Sequence, residues 1–143
     1  MGVLFDYFAA KSDAEAAAVI DRVVGPDSLL LKGIDPVVQL GTLEELLTNR
    51  PYDEVADDPR SGHVVAVRDH GARLVSTLTD SLATALAQAS REDLERVAVP
   101  WSQTEEFWGS ADPEILADVL TDLADLARRA EANGERLYCW VCV

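Results

Sequence analysis

Apolar residues recur along this chain with two different periods, and the switches between them mark out its elements. The clearest helical run has Ile115, Leu116, Val119, Leu120, Leu123, Leu126, Ala127 and Ala130 three or four positions apart, which makes one stripe on a helix. Asp112 stands where an N-terminal cap is needed, Pro113 takes the first position, and Asn133-Gly134 supplies a left-handed exit. The spacing predicts a helix from Asp112 to Asn133. A capping box at Ser12-Asp13-Ala14-Glu15 opens an earlier helix with Ala16, Val19, Ile20 and Val23 inward, and Gly25-Pro26 stops it. Asp35-Pro36 reads as a cap followed by proline at the first helical position, ahead of Val38, Leu40, Leu43, Leu46 and Leu47. Thr79-Asp80 starts a helix with Leu82 and Leu86 inward, and Ser90-Arg91-Glu92-Asp93 starts the next.

Strand-like stretches lie between these. Val3 to Phe8 is rich in aromatic and β-favouring residues, and Leu29-Leu30-Leu31 is a short apolar segment. His63 to Arg68 and Ala72 to Leu78 flank Asp69-His70-Gly71 as a hairpin. Leu137 to Val143 is apolar on both faces, which predicts a central or doubly covered strand. Arg50 to Gly62 is polar with two prolines and reads as a loop. The order breaks any regular strand–helix alternation. The expectation is an α+β fold, a small mixed or antiparallel sheet covered by helices, in one domain spanning 1–143.

Composition narrows the function classes. The 143 residues are 48% hydrophobic and 27% charged, ordinary for a globular domain with a real core. No apolar run approaches the ~20 residues of a membrane span, and the start carries no basic leader, so a cytoplasmic setting is expected. Twenty-six acidic and twelve basic residues leave a net charge of −14. That field repels phosphates, which argues against nucleic acid and membranes as partners; it serves solubility or, on a sharper reading, attracts a basic protein partner. Ten arginines against two lysines, with abundant alanine, fit the coding bias of a high-GC bacterium.

Candidate chemistry concentrates in residues 100–109, Pro-Trp-Ser-Gln-Thr-Glu-Glu-Phe-Trp-Gly, in a chain that is only 6% aromatic. One reading is structural. Pro100 ends the preceding helix, Ser102 and Glu105 form a capping box for a short helix that Gly109 closes, and Trp101, Phe107 and Trp108 anchor the core. In the other, Trp101 and Trp108 wall a pocket or present an interface, while Gln103, Glu105 and Glu106 supply hydrogen bonds or a negative site. Glu105 and Glu106 diverge by about 100° on a helix, so they are not a facing catalytic pair. Asp6 shares a strand face with Leu4 and Phe8 and is a carboxylate for such a pocket if that face is buried. Cys139-Trp140-Val141-Cys142 lies in the last strand, where positions three apart face opposite ways, so a disulfide between the two and a shared metal are not expected. His63 and His70 flank the hairpin without a nucleophile signature, and no Gly-x-Ser-x-Gly, P-loop or dinucleotide fingerprint is present. No catalytic residue, metal ligand or cofactor is assigned.

The Met-Gly start before an aromatic strand, Lys32-Gly33-Ile34-Asp35 before a helix ending Leu46-Leu47-Thr48, the Pro100-Trp101 pair, the helix Asp112 to Asn133 and the closing apolar strand resemble a family of small uncharacterised bacterial proteins, the YfbM-like domain. The Tyr-Cys-Trp-Val-Cys-Val ending is also similar to that of actinobacterial hypothetical proteins. The resemblance implies an α+β fold and brings no assigned activity. The leading expectation is a non-enzymatic protein-binding domain of inhibitor or immunity type. The alternative is a small enzyme or ligand-binding protein with a Trp-walled pocket and Asp6 or Glu105 as acid or base.

Overall fold

Five strands form one antiparallel sheet in the order β2-β1-β5-β4-β3. They are β1 (Leu4–Ala10), β2 (Leu29–Leu30), β3 (Val64–Arg68), β4 (Arg73–Thr77) and β5 (Arg136–Cys142). The computed structural model describes residues 3–21, 28–107 and 111–143, without the side chain of Glu106. The expected α+β fold is what forms, with every strand pair antiparallel. The chain-terminal strand β5 is the middle strand, as its apolar character on both faces required. Leu137, Cys139 and Val141 point to one side and Tyr138, Trp140 and Cys142 to the other.

Among the described residues six α-helices cover the sheet unequally: α1 (Asp13–Ala17), α2 (Val38–Thr48), α3 (Tyr52–Asp57), α4 (Asp80–Gln88), α5 (Arg91–Ser102) and α6 (Pro113–Ala132). The main core lies on one face, where Phe5, Tyr7, Leu137 and Cys139 meet Leu40, Leu43, Leu86, Trp101, Leu120 and Leu123. A smaller core fills the other face, where Phe8, Ala10, Val75 and Tyr138 pack under Ala16 of α1 and Ile20 of the 3₁₀ turn that follows it.

The capping signals act as written. Ser12 Oγ accepts from Glu15 N, Thr79 from Leu82 N, and Asp112 from Glu114 N. Ser90 and Asp93 form a reciprocal capping box. The helix expected from Asp13 onward narrows to a 3₁₀ turn at Ala18–Asp21, and Val23 and Gly25-Pro26 lie outside the described residues.

Three expectations are corrected. Arg50 to Gly62 is not all loop, because α3 forms there, held by the ion pairs of Arg50 described below. Pro100 does not end α5; the helix runs two residues past it, since a missing N–H costs only one bond in a final turn. Ser102 therefore lies inside α5, its Oγ donating to Val99 O at 2.6 Å, and does not cap a new helix.

Residues 31–37 strap the helix-side face of the sheet. Tyr7, fully buried, donates from its hydroxyl to Ile34 O. At the far end of the strap Val37 meets Gly62, whose φ of +64° suits glycine and where a Cβ would lie 2.4 Å from Val37 Cγ2.

Candidate functional site

The tryptophan segment divides between core and surface. Trp101 has 0% exposure, its ring is edge-on to Phe107 at 5.0 Å, and its Nε1 donates to Gln39 O at 2.9 Å. A ring buried to this degree walls no open pocket and presents no interface; its work is to fix the first turn of α2 from behind. Gln103 is the exposed C-terminal cap of α5, and Glu105 is exposed in a 3₁₀ turn at Glu105–Phe107. Trp108, Gly109 and the side chain of Glu106 lie outside the described residues.

Asp6 is on the face predicted for it, opposite Trp140 on one side and Leu30 on the other. That is the face of the smaller core, so the sheet separates Asp6 from Trp101. They do not form one site. Burial pushes the Asp6 carboxyl above the ordinary carboxylate range, and a hydrogen bond with Ser28 partly offsets this. Its Oδ1 is buried without a hydrogen-bond partner among the described residues.

In front of Trp101, on the other side of the α2 turn, lies a groove of about 570 Å³. Val3, Phe5 and Val38 give it apolar walls, and Lys32, Asp35 and Gln39 give it polar ones. Asp35 Oδ1 accepts from Val37 N at 2.7 Å and Val38 N at 2.9 Å, and Asp35 N donates to Gln39 Oε1 at 2.9 Å. This is the capping chemistry expected of Asp35, with the helix starting two residues later than expected. Val38, at the first position of α2, is 41% exposed at the rim.

A second groove, of about 440 Å³, runs between α5 and α6. Its walls include Val99, Pro113 and Ala117, and its rim carries Arg91, Glu95, Glu114 and Asp118. Arg91 ties to Glu95 at 3.0 Å and Asp118 at 3.1 Å, so a single cation faces three carboxylates, Glu114 among them. Val99 and Ile115 are large apolar side chains in the open beside it, 47% and 60% exposed. The helical stripe had placed Ile115 inward; the turn nearest a helix start overhangs the core. Sequence reasoning did not single out either groove. The available signal was an apolar residue, Val99, at a polar phase of α5.

Elsewhere the arginines sit among carboxylates of the same chain. Arg60 spans Asp13 at 3.2 Å and the Tyr138 ring at 5.8 Å, and Tyr138 donates to Asp13 Oδ1 at 2.7 Å. These contacts hold the Asp13 carboxyl below its usual range, the Tyr138 hydrogen bond first. Glu44, at 1% exposure, accepts from Thr79 Oγ1, from Ser81 Oγ at 2.6 Å and from Arg50 Nη1 at 3.3 Å. Arg50 goes on to Asp58 at 3.0 Å. Cys139 and Cys142 are both free thiols, on opposite faces of β5. Burial drives the Cys139 thiol far up, the reverse of an activated nucleophile. Among the described residues no group of three or more potential ligands is placed to hold a metal ion, and no helix is long and apolar enough to cross a membrane. No family model, curated protein or solved structure matches the chain.

Proposed function

We propose that this protein is a non-enzymatic binding domain of inhibitor or immunity type that docks a basic protein partner on its α5–α6 face. The observation that carries the reading is the distribution of charge. Arg50, Arg60, Arg68, Arg73, Arg91, Arg96, Arg128 and Arg136 are each engaged by carboxylates of the same chain. The surplus behind the net −14 is left on the surface, where Glu92, Glu114, Asp122 and Glu131 are exposed and in no ion pair with a described residue. On the α5–α6 face Val99 lines a groove whose rim carries Glu95, Glu114 and Asp118 against Arg91, with Ile115 exposed beside it, the pairing of an apolar centre with a charged rim that protein interfaces use. The same field disfavours nucleic acid. The likeness to the YfbM-like domains belongs to this proposal.

The test is capture from the native host with wild type and with a Val99→Lys, Ile115→Lys double variant. The expected outcome is a basic protein retained by wild type, released as salt rises to about 0.5 M, and lost in the double variant. Equal retention by both proteins overturns the docking face. Retention unchanged by salt overturns the electrostatic part.

A further inference from the structure

The groove in front of Trp101 carries a separate inference, independent of the α5–α6 face. Three features of it point to one ligand chemistry. The first is size and lining: about 570 Å³ falls within the roughly 300–1,000 Å³ of small-molecule sites, and Val3, Phe5 and Val38 supply apolar surface. The second is a fixed anion. Both hydrogen bonds that Asp35 accepts use Oδ1, so the carboxylate is held in place by the backbone of α2. Oδ2 takes no hydrogen bond from a described residue. The turn that holds it is braced by Gln39 Oε1 on Asp35 N and by Trp101 Nε1 on Gln39 O. The group is therefore organised before any ligand arrives. The third is a cation without an ion pair among the described residues. Lys32 is exposed, lines the same groove, and forms no ion pair with a described residue, in a chain whose arginines are so widely paired internally.

One cation and one fixed anion beside an apolar wall distinguish among amphiphiles. A fatty carboxylate meets Lys32 but is repelled by Asp35 and by the net −14. An apolar amine meets Asp35 but is opposed by Lys32, and it is drawn equally to carboxylates all over the surface. A zwitterion satisfies both groups and feels no net long-range force. We infer that this groove binds an apolar α-amino acid as its zwitterion. The carboxylate lies on Lys32, the ammonium on Asp35, and the side chain against Phe5, Val3 and Val38. Two solvent-facing charge contacts with one apolar side chain make this a weak site.

The experiment is an amide-resolved NMR titration of the whole protein with L-leucine, alongside isocaproate, which lacks the ammonium, and leucinamide, which lacks the carboxylate. Leucine is expected to give saturable shifts confined to residues 3–5 and 32–39. Both analogues should bind about fivefold more weakly or worse. Lys32→Met and Asp35→Asn should each weaken leucine roughly two- to fivefold. Asparagine keeps the cap acceptor at position 35, so the fold of that variant is retained. No saturable shift with leucine or phenylalanine at tens of millimolar overturns the site. So does an analogue that matches leucine, or a Lys32→Met protein that binds leucine as wild type does.

Discussion

Glu44 shows how a charge can be deeply placed without being a functional one. Its two oxygens are covered by Thr79, Ser81 and Arg50, and Thr79 at the same time accepts from Leu82 N to start α4. Glu44→Ala would strand two hydroxyls and remove one of the three carboxylates around Arg50, and is expected to cost about 2–4 kcal/mol in urea unfolding. Glu44→Gln, which keeps the acceptor, should cost markedly less. Asp6 and Asp13, shifted in opposite directions, predict opposite pH behaviour. Asp13 is depressed, so its contribution is present at neutral pH and is lost as pH falls through its lowered pKa. Asp6 is raised, so the folded state prefers it protonated and its ionised form is a liability at neutral pH. Asp13→Asn should lower the melting temperature at pH near 7, and Asp6→Asn should raise it. Both differences should shrink once the solution is acidic enough to protonate the wild-type groups. A change of the same sign in both variants would contradict the assignment. Local residue chemistry was partly legible in the sequence. The face of Asp6 and the capping role of Asp35 follow from spacing alone. The burial of Glu44 does not, because its partners come from thirty-five and thirty-seven positions away.

Among the elements, α6 and β5 were the most legible and for the same reason. Each has an apolar pattern long enough to outweigh local noise, and α6 has a cap at either end. α3 was missed because its six residues, Tyr-Asp-Glu-Val-Ala-Asp, bury only Val55, too little for a periodic signal. Sheet order is a matter of long-range pairing and leaves no local mark, except that a strand with no polar face had to be central. That placement has a chemical consequence. Cys139 faces the main core and is buried, while Cys142 faces the other way and is half-buried. A thiol reagent should therefore modify Cys142 in the native protein and reach Cys139 only at the rate of unfolding, with no intramolecular disulfide forming under mild oxidant. Prompt modification of both, or a bond between them, would mean that β5 does not hold its register.

For the molecule as a whole, the surplus of fourteen negative charges is a standing repulsion that the internal ion pairs do not remove. The two respond differently to salt. Raising ionic strength from about 0.01 M to about 0.1 M shortens the screening length from about 30 Å to about 10 Å. Pairs such as Arg50–Asp58 and Arg73–Asp69, both at 3.0 Å, remain well inside that length. Repulsion between carboxylates spread around the surface does not. Thermal stability should therefore rise over this range, contrary to a protein held mainly by surface ion pairs. Reversing three exposed carboxylates without an ion-pair partner among the described residues, Glu92→Lys, Asp122→Lys and Glu131→Lys, should reduce the gain while leaving the fold intact. Differential scanning calorimetry of the two proteins across that salt series decides the matter. A melting temperature that falls with salt in wild type would show that the arginine pairs, and not the surplus, dominate the electrostatics. The charge basis for a basic partner would then be lost with it.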